Sequence, residues 1–225
     1  MAVVTLVALL KNLVGDDFTT DVTNAVPELL ETALRDAIDI IPDELLLKYT
    51  SKSGVNGFVT GITTAGDTPD AMNKKILKVT RNTRTCKEIS EAQATQASDS
   101  ASMFVATNYS PNWYIDHAAV GNPKIVILPT PTDTESARVD FIMYPHGGTD
   151  YDDSAYDVLF NFLGLPQEAI NLVLYKAAVN ILDARISNAI QDDEDNEMLS
   201  MLGAQKQAFG DILKFEVSKL TKVTE

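Results

Sequence analysis

The chain has 225 residues, 45% of them hydrophobic and 22% charged, which suffices for one large domain or two small ones with buried cores. Asp and Glu number 32 against 18 Lys and Arg, and the net charge of −14 argues against a protein that neutralises nucleic-acid phosphates or docks on an anionic membrane. Cys86 is the single cysteine of the sequence, so no disulfide forms within the chain, as expected for assembly in a reducing cytoplasm.

The N-terminal stretch MAVVTLVALLKNLVGD contains an apolar run of about nine residues, which is shorter than the roughly 20 that span a bilayer. It lacks the basic start and the clear cleavage site of a signal peptide. Two interpretations remain, a membrane or partner anchor and a short first helix. The second predicts that the helix ends near Gly15, which serves as its C′ residue.

Residues 26–41, VPELLETALRDAIDII, have the apolar spacing of an amphipathic helix. Pro27 suits the first helical turn, Asn24 is a candidate N-cap, and Pro42 ends the run. The stretch DELLLKY then predicts a second short turn or helix. The predicted buried stripe of the first helix is Leu29, Ala33, Ala37 and Ile40.

Residues 51–155 have a different character. We expect a loosely ordered loop over residues 51–70, which hold four glycines, and an exposed, mobile segment over residues 92–101, AQATQASDSA. The stretches KKILKVTRN and TCKEIS are strand-like. Trp113 and Tyr114 either pack within the β-rich part or form an aromatic contact patch.

Two apolar runs at residues 124–128 and 138–144 predict a β-hairpin closed by Pro129 and Pro145. In the second run, Val139, Phe141 and Met143 alternate with other residues, so one face is expected to be buried. The long polar connector predicts a projecting assembly arm, whose deletion is expected to leave the helices folded. The candidate arm residues are Pro129, Pro131, Thr132, Asp133, Thr134, Glu135, Ser136, Tyr144 and Pro145.

Residues 156–225 are predicted to be helical again. Pro166 precedes a helix with a stripe of Ile170, Leu174, Ala177 and Ile181. A final helix carries the apolar residues Met198, Leu202, Phe209 and Ile212. The acidic run QDDEDNE at residues 191–197 separates the two helices or stabilises the start of the second.

These elements predict a mainly helical α+β protein. Residues 1–50 and 156–225 are expected to form one antiparallel helix bundle, because each apolar stripe needs a partner. Residues 51–155 are expected to be an inserted β-rich region with flexible loops.

No catalytic, cofactor or metal site is predicted. His117 and His146 do not have the spacing of a zinc-binding motif. Ser154, His146 and Asp150 could be imagined as a catalytic triad, but no nucleophile elbow surrounds the serine. The glycines of GVNGFVTG match no phosphate-binding loop. The QDDEDNE run is interpreted as a solvated acidic turn, with a cation site as the alternative.

Four features follow one another along the chain: TNAVPELLETALRDAIDIIPDELLLKY, ILKVTRNTRTCKEIS, NWYIDHAAVGNPKIVILPTPTDTESARVDFIMYP and LGLPQEAINLVLYKAAVNIL. Their order, over about residues 20–185, resembles the head-to-tail connector (neck adaptor) proteins of tailed bacteriophages, a family of virion structural proteins. In that family an aromatic-rich strand, a strand ending in Pro-x-Pro and a strand ending near Tyr-Pro precede a helix starting at Leu-Pro. The matching positions are Trp113, Tyr114, Pro129, Pro131, Tyr144, Pro145, Leu165 and Pro166.

The resemblance implies a homo-oligomeric ring of about twelve copies in the neck of the virion, built by one repeated heterologous interface after synthesis in the bacterial cytoplasm. Such a ring binds a portal protein above and tail or second adaptor proteins below. Genomic DNA passes through it without specific binding, and no membrane is involved.

The acidic balance fits a DNA conduit, because carboxylates in a channel repel phosphates and let the duplex slide. Either Asp192, Asp193, Glu194, Asp195 and Glu197, or the cluster from Asp150 to Asp157, is expected to face the channel. The plainer interpretation is a soluble acidic surface. Competing functions are another virion role (tail tube, minor capsid or decoration protein) and a small hydrolase or regulatory module.

Overall fold

The computed structural model describes residues 6–15, 26–53, 58–62, 69–117, 122–132, 136–145, 169–191 and 196–222. Over these residues the protein is a mixed α+β structure with six helices and seven strands. The helices are α1 (Leu6–Val14), α2 (Val26–Ile40), α3 (Asp43–Ser53), α4 (Glu91–Ser98), α5 (Ile170–Gln191) and α6 (Asn196–Lys222). The strands are β1 (Phe58–Ile62), β2 (Lys74–Arg81), β3 (Arg84–Thr85), β4 (Lys87–Glu88), β5 (Asn112–Asp116), β6 (Lys124–Leu128) and β7 (Ala137–Met143).

The chain divides into two compact units. Met1–Tyr49 and Tyr144–Glu225 make up the first, called here the helical unit. Thr50–Met143 make up the second, called the β unit, which contains both sheets and α4.

In the helical unit, α1 and α2 both contact α5. Helix α1 ends as predicted, because Gly15 has φ +97° and its N–H donates to the Lys11 carbonyl at 2.9 Å. The break predicted at Pro42 is confirmed as well, since α2 stops at Ile40 and α3 starts at Asp43.

The buried face of α2 differs from the predicted stripe. Its fully buried side chains are Leu30, Ala33, Leu34, Ala37 and Ile38. Of the predicted residues, Leu29 is only half-buried and Ile40 is 37% exposed. Ala33 and Leu34 are adjacent in sequence, as are Ala37 and Ile38, so the buried face is wider than a single row of residues four positions apart. The middle of this face lies nearer Leu30 and Leu34 than Leu29.

Helices α5 and α6 form an antiparallel hairpin. The rings of Tyr175 and Phe209 have centroids 5.8 Å apart, and Lys206 forms an ion pair with Asp183. Tyr175 precedes Asp183 on α5, whereas its partner Phe209 follows Lys206 on α6, so the two helices run in opposite directions. On α5, Leu174, Ala177 and Ile181 are buried as predicted.

The β unit contains a four-stranded sheet of order β1-β7-β2-β3 and a three-stranded sheet of order β4-β5-β6. All described pairings are antiparallel except that of β4 with β5. Two register shifts occur, between Ile76 and Lys78 on β2 and between Thr60 and Ile62 on β1. Each extra residue changes which face the strand presents, and this places Ile76, Val79 and Ile62 on the core side.

One hydrophobic core serves both sheets. Trp113 of β5 and Ile125 and Ile127 of β6 share it with Val139 and Phe141 of β7. Val139, Phe141 and Met143 face this core as predicted, but burial does not alternate along β7, because Asp140 and Ile142 on the opposite face are buried as well. Packing, and not an exposed aromatic patch, is therefore the role of Trp113, which is 7% exposed.

The predicted hairpin is wrong. Strand β6 pairs with β5, whereas β7 lies between β1 and β2 in the other sheet. Residues 129–136 therefore cross from one sheet to the other. The alternation in each run correctly predicted a strand. Each strand buries its apolar side in the core between the two sheets, and a two-stranded hairpin alone would leave more of that side exposed.

The disorder expected over residues 51–70 and 92–101 needs correction in part, whereas residues 54–57 and 63–68 lie outside the described residues. Helix α3 continues to Ser53, and β1 pairs with β7. Residues 91–98 form α4, with Ala94 and Ala97 buried. The start of α4 is stabilised by the Ser90 N–H, which donates to Gln93 Oε1 at 3.1 Å, a contact typical of a capping box.

Candidate assembly site

The candidate arm is held at both ends of the sheet-to-sheet crossover. Pro131 is buried, and the Thr130 carbonyl accepts a 3.5 Å hydrogen bond from Arg81 Nη2. At the other end the Ser136 carbonyl accepts a 3.1 Å bond from the Asn82 N–H. Pro129 is half-buried, and the Thr132 and Ser136 side chains are exposed, whereas Asp133, Thr134 and Glu135 lie outside the described residues.

Tyr144 and Pro145 do not belong with the rest of the candidate arm. They start the second segment of the helical unit and contact α2. The Tyr144 hydroxyl donates to Asp39 Oδ1 at 2.5 Å, and the Pro145 carbonyl accepts a 3.0 Å bond from Arg35 Nε. Burial, and secondarily the bonded carboxylate, raise the pKa of Tyr144. These two residues therefore fix the chain to α2 as it leaves the β unit.

The candidate acidic cluster is described only at Glu197, which is exposed in the first turn of α6. This position agrees with one of the two predicted roles of the run, in which a carboxylate stabilises the positive end of the helix dipole. Asp192 to Asp195, the cluster from Asp150 to Asp157, and the imaginable triad of His146, Asp150 and Ser154 lie outside the described residues.

Charge is divided unequally between the two units. The β unit holds nine Lys and Arg and nine Asp and Glu, so its net charge is zero. The helical unit holds nine basic and 23 acidic residues, and 9 − 23 = −14. The whole acidic excess of the protein is therefore a property of the helical unit.

The loop from Asp99 to Pro111, between α4 and β5, exposes three large side chains. Met103 is 95% exposed, Phe104 69% and Tyr109 79%. Sequence periodicity does not reveal these residues, because they are scattered among small polar residues and follow neither the helical nor the strand period. The available signal was the presence of large apolar side chains in an otherwise polar loop.

This loop, called here the apolar loop, has a well-defined backbone. The Ala106 N–H donates to the Ala97 carbonyl of α4 at 2.8 Å, and Thr107 and Ser110 form an isolated antiparallel bridge. Asp99 Oδ1 accepts from the Ala101 N–H at 2.9 Å. Because the backbone is already ordered, a partner that contacts the loop loses less conformational entropy on binding.

Arg81 connects the apolar loop to the rest of the β unit. Its side chain is 2% exposed, and Nη1 donates to Asn108 Oδ1 at 2.9 Å. The same guanidinium reaches the crossover at Thr130, so one buried cation joins β2, the loop and the crossover. On the surface, the Arg84 guanidinium lies 5.1 Å from the centre of the Tyr109 ring, at the distance of a cation–π contact.

Among the described residues we find no arrangement typical of a metal site or of an activated nucleophile. No group of three or more His, Cys, Asp or Glu among them is placed to hold a metal ion. Burial raises the pKa of the Cys86 thiol to about 11, with Arg81 opposing the shift, so the thiol is protonated at neutral pH and a poor nucleophile. None of the described helices is long and apolar enough to cross a membrane.

Comparison with known proteins assigns no family. No protein-family model matches the chain, and no curated protein matches it.

Proposed function

We propose that the protein is a structural component of a tailed-phage virion that forms a ring at the portal–tail junction and is not an enzyme. Portal protein and tail or second adaptor proteins are its proposed neighbours, and genomic DNA is proposed to pass through the ring. The order of the four sequence features, from the Pro-acidic-leucine segment to the helix after Leu165 and Pro166, supports this family. The virion is therefore the proposed location.

The observation that carries an assembly role is the apolar loop. Met103, Phe104 and Tyr109 are large side chains held in the solvent by a hydrogen-bonded backbone. Aromatic residues on ordered surfaces are typical of the anchor positions of protein interfaces. A protein that acted alone would gain nothing from exposing them, whereas a ring subunit uses such a surface on every copy.

The proposed subunit has an antiparallel helix bundle made from residues 1–50 and 156–225. Contacts of α1 and α2 with α5, and the hairpin of α5 with α6, support this arrangement. The Lys176–Asp36 ion pair, at 2.9 Å, links α5 to α2. The β unit, inserted between the two helical segments, then carries the apolar loop.

The charge division supports the proposed passage of DNA. With −14 on the helical unit and zero on the β unit, only the helical unit repels phosphates strongly. A channel lined by helical units would therefore let the duplex slide, and neighbouring copies would make contact with less repulsion through their β units.

Mass spectrometry of purified phage particles gives the first test. The protein is expected as a component with about twelve copies per particle, as for a ring at a single vertex. Absence from particles that package DNA normally would exclude every virion role. A copy number in the hundreds would replace the connector role with a tail-tube or capsid-lattice role.

A further inference from the structure

Two exposed cations border the apolar loop. The Arg84 guanidinium lies 5.1 Å from the centre of the Tyr109 ring. Lys87 is exposed on β4, and its backbone N–H donates to the Pro111 carbonyl at 2.9 Å, where the loop ends. The loop therefore presents its exposed apolar side chains beside positive charge.

Acidic charge close to these cations is limited. Asp99 is the one acidic residue of the loop, and its Oδ1 already accepts the Ala101 N–H at 2.9 Å. Glu88 follows Lys87 but points to the opposite face, because successive side chains alternate along a strand. Residues 71–87 contain six basic residues and no acidic one. The strands beside the loop thus form a basic stretch in an acidic protein.

The helical unit exposes a surface of opposite charge where α2 is followed by α3. Ile40, the last residue of α2, is 37% exposed. Asp39, Asp43 and Glu44 are exposed close to it in the chain. Residues 36–47 include no basic residue. These four residues, called here the acidic corner, therefore combine an exposed apolar side chain with three carboxylates.

Charge decides which of these surfaces attract each other when two copies meet. Two apolar loops would bring Arg84 against Arg84, and two acidic corners would bring carboxylates together, so both of these contacts are repulsive. A loop on an acidic corner pairs opposite charges and covers exposed apolar side chains on both sides. We infer that the apolar loop of one copy binds the acidic corner of the next copy, with Arg84 beside the carboxylates of Asp43 and Glu44.

This contact rests on the proposed ring and names the surfaces that build it. It joins two different surfaces of the same chain, so it is heterologous and each copy offers one loop and one acidic corner. Repetition of such a contact closes a ring when the rotation between copies allows it. The two proposals fail separately. Loss of the virion role leaves the contact measurable in the purified protein, and loss of the contact leaves the ring to be built by other surfaces.

Sedimentation equilibrium of the purified full-length protein tests the contact. At about 100 μM the mean mass of the wild-type protein is expected to exceed the chain mass of 24.5 kDa, and to fall when added salt screens the opposite charges. Arg84→Glu and Glu44→Lys each place like charges opposite one another and are expected to weaken association about 10-fold. A wild-type protein that stays monomeric at this concentration would overturn the inference.

Two control variants make the same charge changes elsewhere. Lys214→Glu, at an exposed position on α6, changes the net charge as Arg84→Glu does. Glu28→Lys matches Glu44→Lys, because both glutamates are exposed in the first turn of a helix, and Glu28 is about 18 Å along α2 from Ile40. Both controls are expected to associate like the wild-type protein. Equal weakening in the controls and the test variants would overturn the inference.

The double variant Arg84→Glu/Glu44→Lys tests whether the two surfaces bind each other. The charges of the loop and the acidic corner are exchanged in it and attract again, so it is expected to associate at least about threefold more tightly than Arg84→Glu alone. A loop that bound some other surface would gain nothing from Glu44→Lys. Association no tighter than that of Arg84→Glu would therefore overturn the inference. Circular dichroism of each variant confirms that the helices are retained.

Discussion

Arg81 is the residue on which the order of the apolar loop depends most directly. It is buried and reaches both Asn108 in the loop and Thr130 in the crossover. Its Nη1 and Nη2 donate to these two oxygens, and because a buried cation depends on such hydrogen bonds, Arg81, the loop and the crossover constrain one another. Trp113, the only tryptophan, lies in the core of the same unit, and its fluorescence therefore reports unfolding of the β unit.

Arg81→Met removes the charge but keeps a long side chain. It is expected to lower the free energy of unfolding of the β unit by about 2 kcal/mol, because two hydrogen bonds to a charged group are lost. Urea unfolding followed by Trp113 fluorescence measures this. Amide exchange of residues 99–110 should also become faster. Lys78→Met, an exposed change on the same strand, is the control and is expected to have little effect. Equal stabilities for the two variants would show that Arg81 does not hold the loop.

Cys86 gives a prediction about pH. Its thiol pKa is near 9.0 in the unfolded chain and about 11 in the folded protein, so the folded protein keeps a proton that the unfolded chain loses between these values. Stability is therefore expected to fall as the pH rises through that interval and to be unaffected by this group below pH 9.

The measurement is the urea midpoint of Trp113 fluorescence at about pH 8 and about pH 10.5. The midpoint should decrease less between the two values in Cys86→Ala than in the wild-type protein. Identical decreases would mean that other groups cause the alkaline destabilisation. At the lower pH, thiol reagents should react with the wild-type protein only as fast as the β unit opens.

At the scale of elements, the crossover between β6 and β7 determines how the β unit is built. It joins strands of different sheets, and its ends are hydrogen-bonded to Arg81 and Asn82. Sequence alternation predicted both strands and the buried face of β7. It could not predict their partners, because strand pairing is decided by contacts distant in sequence and by the register shifts at residues 77 and 61.

Deleting Thr132–Ser136 would leave only three residues, Pro129 to Pro131, between β6 and β7. With three residues between them, the Cα atoms of Leu128 and Ala137 are four steps or at most about 14 Å apart, little more than the ~10 Å between two packed sheets. The deletion is therefore expected to destabilise the β unit, by contrast with the expectation for a free arm. A lower urea midpoint by Trp113 fluorescence, with the helical signal at 222 nm retained, is the predicted result. An unchanged midpoint would restore the arm interpretation.

Helix α6 contains two glycines, Gly203 and Gly210, at which an added Cβ would have no atom within 4 Å. Glycine in a helix interior costs up to about 1 kcal/mol relative to alanine. Gly203→Ala and Gly210→Ala are therefore each expected to raise the stability of the helical unit by about 0.5–1 kcal/mol, measured by thermal unfolding at 222 nm. The reverse change Ala204→Gly, at an exposed position, should lower it by a similar amount. A loss of stability in either alanine variant would contradict the open surroundings of that glycine.

The same helix shows how far sequence patterns predict a surface. Met198, Leu202, Phe209 and Ile212 were predicted as one apolar stripe, yet only Leu202 is fully buried. The four residues belong to two faces: Leu202 and Phe209 lie toward α5, whereas Met198 and Ile212 lie on an exposed flank. A single helical period cannot separate two adjacent apolar faces, and only the position of α5 shows which is covered.

At the scale of the whole molecule, the protein combines a neutral β unit with a helical unit that carries the entire net charge. Composition alone shows the total of −14 but not its division, because the division depends on where the compact units begin and end. Most of the large exposed apolar residues are divided as well, between the apolar loop and a flank of α6 that carries Met198, Met201, Ile212 and Phe215. Both features are typical of a subunit that functions through contacts with other chains.

Electron cryomicroscopy of purified phage particles tests the proposed connector most directly. We expect a ring of about twelve copies at the portal–tail junction, into which the helical unit and the β unit each fit as described, with the apolar loop at a subunit contact. Density for the chain in the capsid lattice or along the tail tube, with a portal–tail junction built from other chains, would contradict it.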